Sequence, residues 1–92
     1  MDFEWDIDKN RKNKKRHGVD FEFASKVFID PNLLSRIDDR VDYGETREIA
    51  LAMYLGVILS VVYTWRGDRI RIISARKATK YEQRRYYEGI FG

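Results

Sequence analysis

The stretch from Tyr63 to Thr79 constrains this chain more than any other. It holds the end of one strand, a tight turn at Arg66-Gly67-Asp68, a second strand from Arg69 to Arg76 studded with arginine, and a threonine placed to cap a helix. Thr79-Lys80-Tyr81-Glu82 fits a capping box, in which threonine and glutamate each satisfy a free backbone amide at the helix start. The helix that follows is expected to carry Gln83, Tyr86, Tyr87, Ile90 and Phe91 along one side. In strict alternation Ile70, Ile72, Ser74 and Arg76 share one face of the strand, and Arg69, Arg71, Ile73 and Ala75 share the other. Arg71 and Arg76 are therefore expected to leave on opposite sides, and a site that used both would need a bulge or an end-of-strand twist between them.

Upstream, Val57 to Tyr63 is a continuous apolar run suited to a central strand covered on both faces. Gly56 turns into it from an alternating strand, Thr46 to Leu55, which puts Arg47 on the same side as Ile49, Leu51 and Met53. Leu33 to Ile37 reads as another strand, followed by an acidic turn region from Asp38 to Glu45. At the N-terminus Phe3-Glu4-Trp5 alternates as a short strand, and Asp6 stands where a helix from Ile7 to His17-Gly18 would be capped. Asp20 caps a second helix with Phe21, Ala24, Val27 and Phe28 at helical spacing, closed by Asp30-Pro31. The order predicts one α+β domain over residues 1–92. Its mostly antiparallel sheet, a four-strand meander plus a short N-terminal strand, is expected to carry helices on one face and leave the other for function.

Composition removes several classes of function. No cysteine excludes a disulfide framework, and a single histidine argues against a zinc site, so no metal or cofactor is expected. The glycines are scattered and form no phosphate loop, no serine has a hydrolase signature around it, and the aromatic motifs of RNA-recognition sheets are absent. No apolar run is long enough to span a membrane, and the acidic start is unlike a signal peptide, which predicts a cytoplasmic protein. The formal charge of +3 matters less than its arrangement. Basic residues crowd Lys9 to Arg16 and the last third of the chain, with an acidic middle between them. Two such zones suit a polyanion such as RNA or an acidic protein partner, and a solvated charged surface is the plainer alternative.

A set of arginines, a lone histidine at a helix end and nearby aromatics is chemistry for a phosphodiester. RNA can be cut without metal if a base takes the 2′-hydroxyl proton, cations stabilise the phosphorane and an acid protonates the leaving oxygen. Arginine suits the middle role because its planar donors match phosphate oxygens, and imidazole can serve in either proton role. Each residue also has a plainer reading. His17 either transfers a proton or sits at a helix C-terminus because its charge meets the dipole. Arg47 either contacts phosphate or snorkels at a strand end. Trp5 and Tyr63 either stack a base or fill the core.

Phe3-Glu4-Trp5-Asp6, Lys9, Asn13, Arg16-His17-Gly18-Val19 with Phe21, Gly44-Glu45-Thr46-Arg47, Val61-Val62-Tyr63-Thr64, Arg66 through Thr79, and Glu82 together resemble the BrnT toxin family. The likeness spans nearly the whole chain in order, and it departs at Ile7, where proline is frequent, and at Lys14, where an apolar residue is common. Those two departures predict a loosely docked first helix. The resemblance implies a RelE-like fold, an endoribonuclease that arrests growth by cutting RNA, and neutralisation by a BrnA-like antitoxin with a ribbon-helix-helix domain, which carries the complex to operator DNA. On that reading His17, Arg47, Arg71 and Arg76 are the expected catalytic residues. Trp5, Lys9, Arg16, Tyr63 and Lys77 are the expected RNA contacts. A non-catalytic RNA- or ribosome-binding module, and a co-repressor acting only through its partner, are the competing readings.

Overall fold

The computed structural model describes all of residues 1–92. The elements run β1 (Asp2–Glu4), α1 (Ile7–His17), α2 (Phe21–Ser25) continued by a 3-10 turn (Lys26–Ile29), β2 (Leu34–Asp38), β3 (Arg47–Tyr54), β4 (Val57–Arg66), β5 (Arg69–Lys77) and α3 (Lys80–Phe91). The five strands lie in the order β1-β5-β4-β3-β2. Strands β2 to β5 form the expected antiparallel meander, while β1 lies parallel to β5 with Phe3 opposite Ile70, so the sheet is mixed.

Local chemistry sets the element ends. The Asp6 carboxylate accepts from the Lys9 amide at 3.0 Å, and α1 closes at Gly18 with φ 70°. Thr79 and Glu82 form the reciprocal capping box of α3. The β3–β4 hairpin turns on Leu55 and Gly56, both at positive φ (49° and 78°), the pattern of a type I′ turn.

One face of the sheet is the main core. Phe21, Ala24 and Val27 from the helical segment meet Ala50, Ala52, Leu59, Val61, Ile70 and Ile72 from the strands. An aromatic file runs through it, with Phe28 between Phe3 (ring centroids 5.4 Å apart) and Tyr63 (5.0 Å).

The other face is not left bare, which corrects the expectation of helices on one side only. Leu34, Leu51, Met53 and Ile58 alternate onto this second face and make an apolar strip at one end of it. Helix α3 covers that strip, packing Tyr86 on Ile58 with Leu51 and Met53 beside it. Gly89 allows the close approach, since a Cβ there would stand 3.3 Å from the Leu34 side chain. The Tyr86 hydroxyl donates to Asp30 at 2.6 Å, and the same carboxylate accepts from the Met53 amide at 2.8 Å. The half of this face that α3 does not reach is open.

A bulge in β5 decides what that open half displays. Val62 stands opposite Ser74 and Tyr63 opposite Ile72, so Ile73 is an extra residue without a partner. The alternation changes phase there: Ile70 and Ile72 point into the core before it, and Ala75 does so after it, each 1% exposed. Arg71, Ser74 and Arg76 consequently lie opposite Thr64, Val62 and Ser60, all on the second face. The expectation that Arg71 and Arg76 leave on opposite sides is thus corrected by one inserted residue.

The bulged segment is held by Asn13 of α1, which is 6% exposed. Its side-chain carbonyl accepts from the Ala75 amide (3.1 Å), and its amide donates to the carbonyls of Ala75 (2.8 Å) and Val19 (3.0 Å). Replacing Asn13 by alanine leaves both Ala75 backbone groups buried without partners, and is expected to cost about 2–4 kcal/mol. Urea unfolding measures this, and hydrogen exchange should show the loss first at Ala75. A variant as stable as wild type would mean that the clamp contributes nothing.

Candidate functional site

Three elements bring basic side chains to the open half of the second face. Period-2 geometry puts Arg36 of β2 there with Leu34 and Asp38, the bulge puts Arg76 there, and His17 arrives at the C-terminal end of α1. Together with Arg40 they line a polar cavity of about 210 Å3, with Ser60 and Ser74 also in its wall. A second cleft of about 190 Å3 shares His17 and Ser74 and continues along α1 past Arg16, Lys12 and Lys9. Lys9, Lys12 and Arg16 stand three and four residues apart, so one helix face carries all three charges alongside the bulge. The result is a basic track that ends in the arginine cavity.

Two of the arginines are held by carboxylates that leave part of the guanidinium free. The side chain of Asp38 is fully buried and takes the Nε (2.7 Å) and Nη2 (2.9 Å) of Arg40. That pairing, with added hydrogen bonds from the Arg40 amide and the Tyr43 hydroxyl, brings the Asp38 carboxyl down to about 2 against the cost of burial, and raises Arg40. Glu82 takes the other edge of Arg76, accepting from Nη1 at 2.7 Å and Nη2 at 3.0 Å, and this pair lowers Glu82 and raises Arg76. A guanidinium has five N–H donors. Arg40 keeps its end-on Nη1/Nη2 fork, and Arg76, which also gives one Nη1 hydrogen to the Lys77 carbonyl at 3.2 Å, keeps its side-on Nε/Nη2 fork. Arg36 is in no ion pair. The three arginines line one cavity, and the nearby Arg40 charge works against protonation of Arg76. Such a cavity favours a phosphate, which accepts bidentate forks and relieves the repulsion. No three histidine, cysteine or acidic side chains come together as metal ligands would.

The structure gathers some of the expected residues and separates others. His17 and Arg76 share the cavity, and Lys9 and Arg16 line the adjoining track. Arg71 lies on the same face but outside both clefts, tied to Glu4 at 2.7 Å. Arg47 pairs with Glu45 at 3.1 Å, with its guanidinium carbon 4.0 Å above the Tyr43 ring. Lys77 is exposed at the end of β5, opposite Leu59. Tyr63 is 5% exposed and Trp5 packs on Phe21, both in the main core on the far side of the sheet from the arginine cavity. Their geometry is that of core side chains, the plainer of the two sequence readings.

Four contributors were not singled out by the sequence: Arg36, Arg40, Lys12 and Ser60. Alternation within β2 could have placed Arg36 with Leu34, and helical spacing could have joined Lys12 to Lys9 and Arg16. Nothing local marks Arg40, which depends on a buried partner two residues away.

The Asp38–Arg40 pair gives the site a pH signature. The carboxyl titrates lower in the folded chain than when unfolded, so its contribution is complete above the ordinary value of 3.8 and disappears as pH falls toward 2. Asp38→Asn is therefore expected to lower the urea midpoint at pH 6, with the gap to wild type closing between pH 4 and pH 2. A gap that stays constant across that range would show that the pair does not couple to folding.

No curated protein matches this chain. The family model described as ribonuclease toxin, BrnT, of type II toxin-antitoxin systems matches residues 5–82 of the 92, a span that includes α1, the whole meander, the bulge and the capping box of α3. With its arginine cavity and basic track in place, the chain belongs to the BrnT ribonuclease toxin family of type II toxin–antitoxin systems.

Proposed function

We propose that the arginine cavity is the active site of a metal-independent endoribonuclease. One observation carries this reading: His17 and three arginines, two with unused donor forks, open on the same polar cavity. In the proposed reaction the ribose 2′-oxygen attacks the neighbouring phosphorus, the 5′-oxygen leaves, and a 2′,3′-cyclic phosphate forms. Arg36, Arg40 and Arg76 stabilise the phosphorane charge, since preorganised donors are worth most where charge develops. His17 either takes the 2′-hydroxyl proton or gives one to the leaving 5′-oxygen, and water exchanges the other proton. Lys9, Lys12 and Arg16 hold the strand's phosphates before the cut. Arg47 and Arg71, which lie outside the cavity, together with Lys77 extend the cationic surface and act on affinity more than on turnover.

Family membership supports the wider setting of this proposal. The fold is RelE-like on this reading, and a BrnA-like antitoxin with a ribbon-helix-helix domain neutralises the toxin and carries the complex to operator DNA. The toxin acts in the cytoplasm, where RNA cleavage stops translation and growth.

Incubating the purified protein with RNA in EDTA tests the chemistry. Fragments ending in cyclic phosphate are expected, with His17→Ala and Arg76→Ala each cutting about 100-fold more slowly or worse. Arg71→Ala and Arg47→Ala should retain turnover and show weaker, less salt-sensitive binding. Intact RNA with tight, salt-dependent binding would instead establish a module that acts by occupancy.

A further inference from the structure

Beside the arginine cavity lies another of about 220 Å3, which the proposed cleavage chemistry leaves unused. The two share Arg36, Ile49 and Ser60 and so lie side by side. Leu34, Ile49 and Leu51 give this cavity an aliphatic lining from β2 and β3. The start of α3 supplies the opposite side, with Tyr81, 61% exposed, and Arg85 one turn further. Ser60 is only 5% exposed and stands in the wall of both cavities.

A second phosphate does not suit this lining. Arg36 and Arg85 would attract it, but it would also meet the Glu82 carboxylate and the aliphatic carbon of Leu34, Ile49 and Leu51, which offer it no donors in exchange for its hydration. A flat heteroaromatic ring does suit it, because aliphatic side chains cover its faces, a phenol ring can stack on it, and a serine hydroxyl in the wall can meet a polar edge. A base adjoins its own phosphate through one ribose, and the shared wall at Arg36 and Ser60 matches that connection.

We propose that this cavity is a nucleobase subsite for the nucleotide next to the phosphate in the arginine cavity, with Tyr81 as its stacking platform and Ser60 as its edge contact. The proposal rests on reading the arginine cavity as a phosphate site. It makes the first turn of α3 the part of the chain that senses which base lies beside the scissile bond.

The test uses short 2′-O-methyl RNA strands, which cannot be cut through the 2′-oxygen, either intact or with one base at a time removed. Their affinities are measured for the full chain and for Tyr81→Ala, a substitution at an exposed position that leaves the core untouched. Removing one particular base is expected to weaken wild type about 10-fold and to leave Tyr81→Ala unchanged. Equal binding of intact and abasic strands by wild type, no binding of either, or an equal loss on both strands in Tyr81→Ala overturns the subsite. The EDTA cleavage assay fails independently: base-dependent binding without cutting sinks the nuclease and keeps the subsite, and cutting without base-dependent binding does the reverse.

Discussion

Asn13 gives Ala75 what a neighbouring strand would give it. β1 pairs with β5 only as far as Arg71, and beyond that point the outer edge of β5 has no strand beside it. The Asn13 amide fills the gap by accepting from one backbone group of Ala75 and donating to the other, from a helix whose own composition offers little to bury. Buried backbone groups left unpaired are costly, so this contact fixes the outer edge of β5 just past the bulge. It also seats α1, and with it His17 and the Lys9-Lys12-Arg16 face, against the strand that carries Arg76. Core, bulge and cationic track all meet at one side chain.

The electrostatics follow from that placement. Arginines gathered in one cavity repel, and a chain that assembles them needs counter-charges that do not consume the donors. Asp38 and Glu82 meet this need by gripping different edges of their partners, Asp38 the side-on edge of Arg40 and Glu82 the end-on edge of Arg76. Each carboxylate fixes the guanidinium plane and leaves a fork for a ligand, so the cavity is preorganised rather than assembled on binding.

Much of the fold was legible because it depends on local signals. The caps at Asp6, Asp20 and Thr79, the turns at Gly56 and Gly67, and the alternation of Arg47 through Tyr54 are stated by residues a few positions apart. The site was less legible because it depends on a count. Strict alternation in β5 assigns Arg71 and Arg76 to different sides, and no residue type at Ile73 announces that the count is off by one. Tyr63 and Trp5 illustrate the opposite difficulty. An aromatic on a strand is equally suited to a base or to a core, and only the contacts of Tyr63 with Phe28 and of Trp5 with Phe21 show that these two pack in the core. Placing α3 on the second face likewise required knowing that Leu34, Leu51, Met53 and Ile58 line up across three strands.

Glu82 is counted twice in this structure, once as the capping-box residue of α3 and once as the support of Arg76. Its Oε1 accepts from the Thr79 amide at 2.8 Å and from the Arg76 guanidinium at 2.7 Å. The order of the helix start and the aim of that arginine are therefore a single degree of freedom. A fluctuation that frays the first turn also loosens the grip on that guanidinium. Secondary structure and the charge lining the cavity are here linked variables.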